Sequence, residues 1–322
     1  MSAPLLTLEG VTRDFTVRRG LWGTPARLRA VDEVTLHVAR GETLGIVGES
    51  GCGKSTLARL VVRLIEPSAG AIRLDGTDIA HLPQSALRPM RRRVQMVFQD
   101  PNSSLDSRMG AGDLVAEPLR VHRVAVGTAL EQRVAELFAS VGLRPDQRDN
   151  LPAQFSGGQR QRLAIARALA LDPDLVVADE PVSALDLSIR AQIVNLMLEL
   201  QAARGLAYLF IAHDLGLVRH VSDRIAVMYL GRIVETGPAE PLFRAARHPY
   251  TRLLLEAVPR LDRRRRGASP HEAGEVPSPL HPPLGCAFHP RCPRATVLCR
   301  EERPTSRPVG DGVEAACHHP VH

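Results

Sequence analysis

At 322 residues the chain exceeds one ordinary domain and falls short of three. Hydrophobic residues make up 44% and charged residues 24%, the balance of a globular protein with a sizeable core, which excludes collagen-like, fibrous and long disordered readings. The net charge of +6 permits nucleic-acid binding. No run of about 18 apolar residues offers a membrane span, and Met1–Phe15 lacks the basic-then-apolar pattern of a secretory signal, so a cytosolic chain is expected, held at a membrane only by a partner.

The basic residues are unusual in kind. Of 41 Lys and Arg, only Lys54 is a lysine. A GC-rich coding bias gives arginine wherever either residue serves, so a surviving lysine marks a place that needs a compact ammonium rather than a broad planar guanidinium. In chain order, Thr43–Val47 is a short apolar run that reads as a buried strand. Gly48-Glu49-Ser50-Gly51-Cys52-Gly53-Lys54-Ser55-Thr56 follows and fits G-x-x-x-x-G-K-[ST]. Leu57, Leu60, Val61 and Leu64 then recur at helical spacing, with Pro67 and Gly70 marking the exit. Strand, glycine loop and helix let backbone amides converge on phosphate oxygens at a helix N-terminus. Lys54 reaches the β- and γ-phosphates there, and Ser55 offers its hydroxyl to Mg²⁺. Cys52 is expected to be a small packed residue of the loop.

A second strand-like run, Val94–Phe98, ends at Gln99, and Asp100–Leu105 is a turn leading into a stretch rich in helical pattern. Leu130, Val134, Leu137, Phe138 and Val141 share one helical face there. Phe155-Ser156-Gly157-Gly158-Gln159-Arg160-Gln161-Arg162 precedes Leu163, Ile165, Ala166 and Leu169, an apolar helix face. Ser156 through Gln159 thus opens a helix, a second anion-binding terminus with its amides and the serine hydroxyl free. Read alone, it is an ordinary capped helix start. Two phosphate-binding helix ends far apart in sequence invite a dimer in which each nucleotide is clasped by two chains.

Leu175–Ala178 reads as a strand buried on both faces of a parallel sheet, and Asp179 and Glu180 end it. Successive strand residues point to opposite sides, so the two carboxylates take different roles. Asp179 is assigned to the metal shell and Glu180, at the strand tip, to the attacking water. The helix from Ile189 to Leu200 places Ile193, Val194, Met197 and Leu200 at core spacing, and Tyr208–Ala212 leads to His213.

Beyond Glu240 the composition changes. His248-Pro249-Tyr250-Thr251 precedes an amphipathic stretch, the run Arg263–Arg266 and the Pro-rich Val276–Pro283. The arginine run is read as a solvated linker, because no aromatics interleave with it for base stacking. Cys286, Cys292, Cys299 and Cys317 follow, and a cytosolic setting disfavours disulfides. Four such thiolates suit zinc or an iron–sulfur cluster. No C-x₂₋₄-C pair of the kind common in zinc sites occurs, and the wide gaps suit the larger group.

The motifs together resemble the ATP-binding subunit of an ABC transporter, from near Leu5 to near Arg260. Gly48–Thr56 resembles Walker A, Leu175–Glu180 Walker B and Ser156–Gln159 the ABC signature, with Phe155 where many members carry leucine, a variant associated with peptide importers. Gln99 resembles the Q-loop glutamine that contacts Mg²⁺ and the membrane subunit. Ser183-Ala184-Leu185-Asp186 resembles the D-loop that crosses the dimer interface, and His213 the switch histidine on the γ-phosphate. Phe15 is the adenine-stacking candidate, against an ordinary core phenylalanine, with 16–30 reading as an insertion. His-Pro-Tyr-Thr and the cysteine tail resemble dipeptide and oligopeptide importer ATPases, and Arg18–Gly23 resembles the second of their two ATPase subunits.

This resemblance implies an α/β fold. It comprises a P-loop NTPase core with a mostly parallel sheet, an antiparallel N-terminal β subdomain, an inserted α-helical subdomain near 100–170 and a small cysteine-containing extension. The nucleotide-binding domain is expected over 1–260 and the extension over 261–322. The resemblance further implies ATP, Mg²⁺ and a [4Fe–4S] cluster on the four cysteines, with Zn²⁺ as the alternative. Its implied partners are two permease subunits, a second and non-identical ATPase subunit, and indirectly an extracytoplasmic solute-binding protein. Its implied place is the cytoplasmic face of the membrane, with no nucleic-acid partner. The rival is a soluble ABC ATPase acting on nucleic acid or ribosomes. Such proteins usually carry a coiled-coil or zinc-module insertion or two tandem cores, and neither is evident.

Overall fold

A computed structural model describes residues 3–18, 25–257 and 275–321. Most of the Arg18–Gly23 stretch and the run Arg263–Arg266 lie outside the described residues. Twelve strands are described in two sheets: β1 (Leu6–Arg18), β2 (Pro25–Val38), β3 (Thr43–Val47), β4 (Ala69–Leu74), β5 (Thr77–Asp78), β6 (Val94–Val97), β7 (Leu175–Asp179), β8 (Ala207–Ile211), β9 (Arg224–Tyr229), β10 (Arg232–Pro238), β11 (Arg307–Gly310) and β12 (Val313–Ala315). The first sheet, β2-β1-β4-β5, is antiparallel throughout. β1 and β2 take up both ends of the stretch read as an insertion, pairing Thr16 with Arg27.

The second sheet has the order β11-β12-β10-β9-β3-β8-β7-β6. Its pairs from β9 to β6 are all parallel, and β10, β12 and β11 extend it antiparallel. Every residue of β3, β7 and β8 is buried, as continuous apolar runs in a sheet covered on both faces must be. The cysteine tail therefore does more than trail behind the core: β12 hydrogen-bonds β10, matching Glu235 with Ala315.

Helices cover the parallel strands. Lys54–Val61 follows β3 and buries Leu57, Leu60 and Val61. The predicted fourth position, Leu64, is 53% exposed, because Arg63 takes φ +53°, turns the chain and sends its own guanidinium inward to the Ile79 carbonyl. Between β6 and β7 stand Ala111–Val121, Gly127–Ser140 and Gly157–Leu169, whose buried Leu130, Val134, Leu137 and Phe138 form one core with Leu163 and Ile165. Leu187–Arg204 continues past both predicted ends and buries Ile193, Val194, Met197 and Leu200. Among the described residues no helix is long and apolar enough to cross a membrane.

Candidate functional site

In an open parallel sheet the chain leaves each strand at the same edge, and ligands gather where those carboxyl ends converge. Here β3, β8, β7 and β6 are consecutive neighbours, so Gly48, His213, Glu180 and Gln99 all leave one edge. The loop after β3 is closely wrapped. A Cβ on Gly48 would lie 2.1 Å from the Met228 carbonyl oxygen, and one on Gly53, at φ +108°, would lie 2.2 Å from that of Ala30. Glycine is required at both points by contact. Lys54 is buried and donates to the carbonyls of Gly48 (2.7 Å) and Glu49 (2.9 Å), so the single ammonium sits inside the loop. Cys52 is buried, as expected, and burial pushes its thiol pKa up.

Ser55 Oγ donates to Asp179 Oδ1 at 3.0 Å, joining the first turn of the helix to the end of β7. Burial pushes the Asp179 carboxyl above its ordinary value, the Ser55 hydrogen bond opposes that, and the Glu180 charge adds to it. An oxygen-only pair strained in this way fits a hard divalent cation. The strand ends at Asp179, and Glu180 takes φ +46°, which separates the two carboxylates as their expected roles require. Glu180 Oε2 accepts from Gln99 Nε2 at 2.9 Å and lies 3.5 Å from His213 Nδ1. Three residues separated by up to 114 positions thus meet on one carboxylate oxygen.

The signature segment departs from expectation in one respect. Ser156 caps the helix Gly157–Leu169, and its hydroxyl accepts from the Gln159 N–H (3.3 Å) while Gln159 Oε1 accepts from the Ser156 N–H (3.0 Å). The hydroxyl expected to be free is engaged in this reciprocal capping box, because an uncapped helix start leaves amides unsatisfied. Gly157 and Gly158 lie against Leu185 and Ile189, so the signature packs on the D-loop, while Asp186 is exposed at the start of the following helix. Phe15 sits on β1, half-buried, with the Arg13 guanidinium 4.6 Å from its ring centroid, and is not a core phenylalanine. Ser50, Gly51 and Thr56 take their places in the loop and first helical turn.

Cys286, Cys292, Cys299 and Cys317 line one small cavity together with His289, and the Cys286 N–H donates to the Cys299 carbonyl at 2.8 Å. Burial pushes the thiols of Cys286, Cys292 and Cys317 up, the last to about 11. Among the described residues, however, no group of three or more His, Cys, Asp and Glu side chains is arranged to hold a metal ion. The [4Fe–4S] cluster, or zinc, expected there is therefore unsupported by this arrangement of the four cysteines.

The contacts of Glu49 with Arg291 and Tyr250 escaped sequence reasoning. Glu49, second in the phosphate loop, forms a bidentate pair with Arg291 of the tail, at 2.7 and 2.9 Å. Its amide donates to the hydroxyl of Tyr250, at 2.9 Å. The available signal was chemical: an acid inside an anion-binding loop demands a cation from elsewhere.

The ABC transporter family pattern matches residues 31–183, and the pattern of the oligopeptide/dipeptide transporter C-terminal region matches residues 234–299. The probable peptide ABC transporter ATP-binding protein y4tS of Sinorhizobium fredii is 50% identical over 99% of this chain and 90% of that protein. The dipeptide transport ATP-binding protein DppF of Haemophilus influenzae is 46% identical over 99% and 97% of the two chains. The oligopeptide transport ATP-binding protein AppF of Bacillus subtilis is 47% identical over 98% and 97%. Among solved structures, the ATP-binding cassette MJ0796, in a dimeric post-hydrolysis state bound to ADP and Pi, shares 29% identity at a TM-score of 0.65, covering 73% of this chain and 99% of that one. The cbiO1 protein of Clostridium perfringens shares 26% at 0.64, over 76% and 92%. With these likenesses laid over the strand-edge geometry, the chain belongs to the family of ABC transporter ATP-binding proteins of the oligopeptide/dipeptide type, and is an ATP-binding ATPase.

Proposed function

We propose that the chain powers peptide import as one of two ATPase subunits beneath a pair of permease subunits at the cytoplasmic face of the membrane. The observation that carries this reading is the meeting of Gln99 and His213 on Glu180, one residue beyond the Ser55–Asp179 pair. In it, Lys54 and the loop amides of Ser50 through Thr56 hold the triphosphate. Ser55, Asp179 and Gln99 would hold Mg²⁺, whose charge offsets that of the β- and γ-phosphate oxygens. Glu180 accepts a proton from the attacking water, and His213 contacts the γ-phosphate. Ser156, Gly157, Gly158 and Gln159 of one chain, with Asp186, close over the nucleotide of the other, and Phe15 stacks on adenine.

Each motif occurs once, which supports a second ATPase chain, and the resemblance to importers with paired subunits supports a non-identical one. Peptide cargo is supported by the likeness to the dipeptide and oligopeptide transport proteins of Haemophilus influenzae and Bacillus subtilis. Asp100–Leu105 and an adjoining cavity of about 200 Å³ lined by Leu64, Met96, Phe98, Pro118 and Arg167 form the surface offered to the permease.

Purification of the full-length chain from membranes tests the proposal. Integral membrane partners co-purify, and peptide uptake fails when the chain is deleted. Failure to recover membrane partners, with ATPase activity stimulated by RNA or DNA, would establish the rival reading.

A further inference from the structure

A carboxylate in the second position of a phosphate loop works against the loop's purpose, since it repels a triphosphate at close range. Glu49 occupies that position, directly beside the carbonyls that Lys54 holds. The structure disposes of its charge. Arg291 Nη1 donates to Oε2 at 2.7 Å and Nη2 to Oε1 at 2.9 Å, a fork-to-fork pair spanning 242 residues. The Arg291 side chain is 4% exposed, with its guanidinium 5.8 and 5.7 Å from the ring centroids of Tyr229 and Phe288. Tyr250 takes the Glu49 amide from the same side. Both the backbone and the side chain of Glu49 are gripped by residues from the last quarter of the chain.

Arg291 is itself placed by the cysteine module. It closes the turn His289–Arg291 between Cys286 and Cys292, where the His289 N–H donates to the Cys286 carbonyl and the Arg291 N–H to that of Phe288. We infer that the C-terminal module is part of the nucleotide site: Arg291 is a positioning residue that neutralises Glu49 and keeps its carboxylate turned from the triphosphate. This rests on the reading of Gly48–Thr56 as the phosphate loop. Lysine is a poor substitute in the geometry, since a point charge cannot engage both oxygens, but it preserves the neutralisation.

The test is Mg·ATP affinity of the full-length chain by calorimetry, with the KM and kcat of the assembled transporter beside it. Arg291→Ala weakens binding about tenfold, in KM rather than kcat. Arg291→Ala combined with Glu49→Gln returns affinity to within about threefold of the original, because no charge is left to neutralise. Arg291→Lys, which keeps charge and stem, also stays within about threefold. Undiminished affinity in Arg291→Ala overturns the inference. So does a double variant as weak as the single one, or a lysine variant as weak as alanine, since either means that Arg291 only anchors the tail. An original chain that binds no nucleotide sinks the phosphate-loop reading instead, a separate result.

Discussion

Two glutamates stand just beyond neighbouring strand ends on either side of β8, and the fold treats them in opposite ways. Glu180, one residue past β7, is met by the amide of Gln99 and the imidazole of His213, with no arginine or lysine bonded to it among the described residues. Glu49, two residues past β3, is locked to a buried guanidinium and backed by Tyr229, Tyr250 and Phe288, whose rings lie 4.6 to 5.4 Å apart. One carboxylate is met by an amide and an imidazole, the other by a fixed guanidinium. Both carboxylates leave the same sheet edge, and their immediate partners set them apart.

The difference is sharpest in turnover. Glu180→Gln keeps the shape and the Gln99 contact but removes the proton acceptor, so kcat falls about a thousandfold while ATP affinity persists. Steady-state hydrolysis alongside calorimetry checks this, and undiminished turnover breaks the contrast at its stronger end. Lys54→Arg comes next. The buried ammonium fills a space bounded by two carbonyls 2.7 and 2.9 Å away, and a guanidinium overpacks it. Nucleotide affinity falls about a hundredfold despite the retained charge, and original-level binding would undo the significance of the lone lysine.

The Glu180 side was legible because each of its residues follows an apolar run that can only be a buried strand. Gln99, Asp179, Glu180 and His213 were placed correctly relative to β6, β7 and β8, and parallel pairing then brought them together. The Glu49 side was not legible, since its partners lie about 200 and 242 residues away and no periodicity links them. The antiparallel addition of β12 and β11 was equally silent, as strands of three or four residues in a Pro- and Cys-rich tail leave no alternation to read. Leu64 shows the converse failure: helical spacing ran on past the point where the backbone at Arg63 turned left-handed.

Acid separates the two regions further. His248 Nδ1 accepts from the Tyr250 N–H at 3.0 Å, and burial lowers the imidazole pKa to about 4. The folded state therefore holds His248 neutral while the unfolded chain protonates it near 6.5. Stability from this group is complete above pH 6.5 and is lost as pH falls through that value towards 4, by about 3 kcal/mol. Glu235, which accepts from the Arg247 and His248 amides and whose carboxyl burial pushes up, acts with the opposite sign. Denaturant melts of the original chain and His248→Gln at pH 4, 5 and 7 isolate the histidine contribution. The variant's smaller loss of stability between pH 7 and 4 is the expected outcome, and equal losses would remove it.

Tyr250→Phe gives the smallest and most local effect. The ring is fully buried and its packing against Tyr229 and Phe288 survives, so the aromatic cluster stays intact. Only the hydroxyl that accepts the Glu49 amide is lost, which leaves a half-buried donor unpaired at about 1 kcal/mol. Because Glu49 touches no reacting group in this arrangement, the cost is expected in KM for ATP, about threefold, with kcat unchanged. A fall in kcat instead would mean that the tail side reaches the water-activating carboxylate through the sheet. The opposition between a used and a neutralised glutamate would then have to give way to a single coupled network.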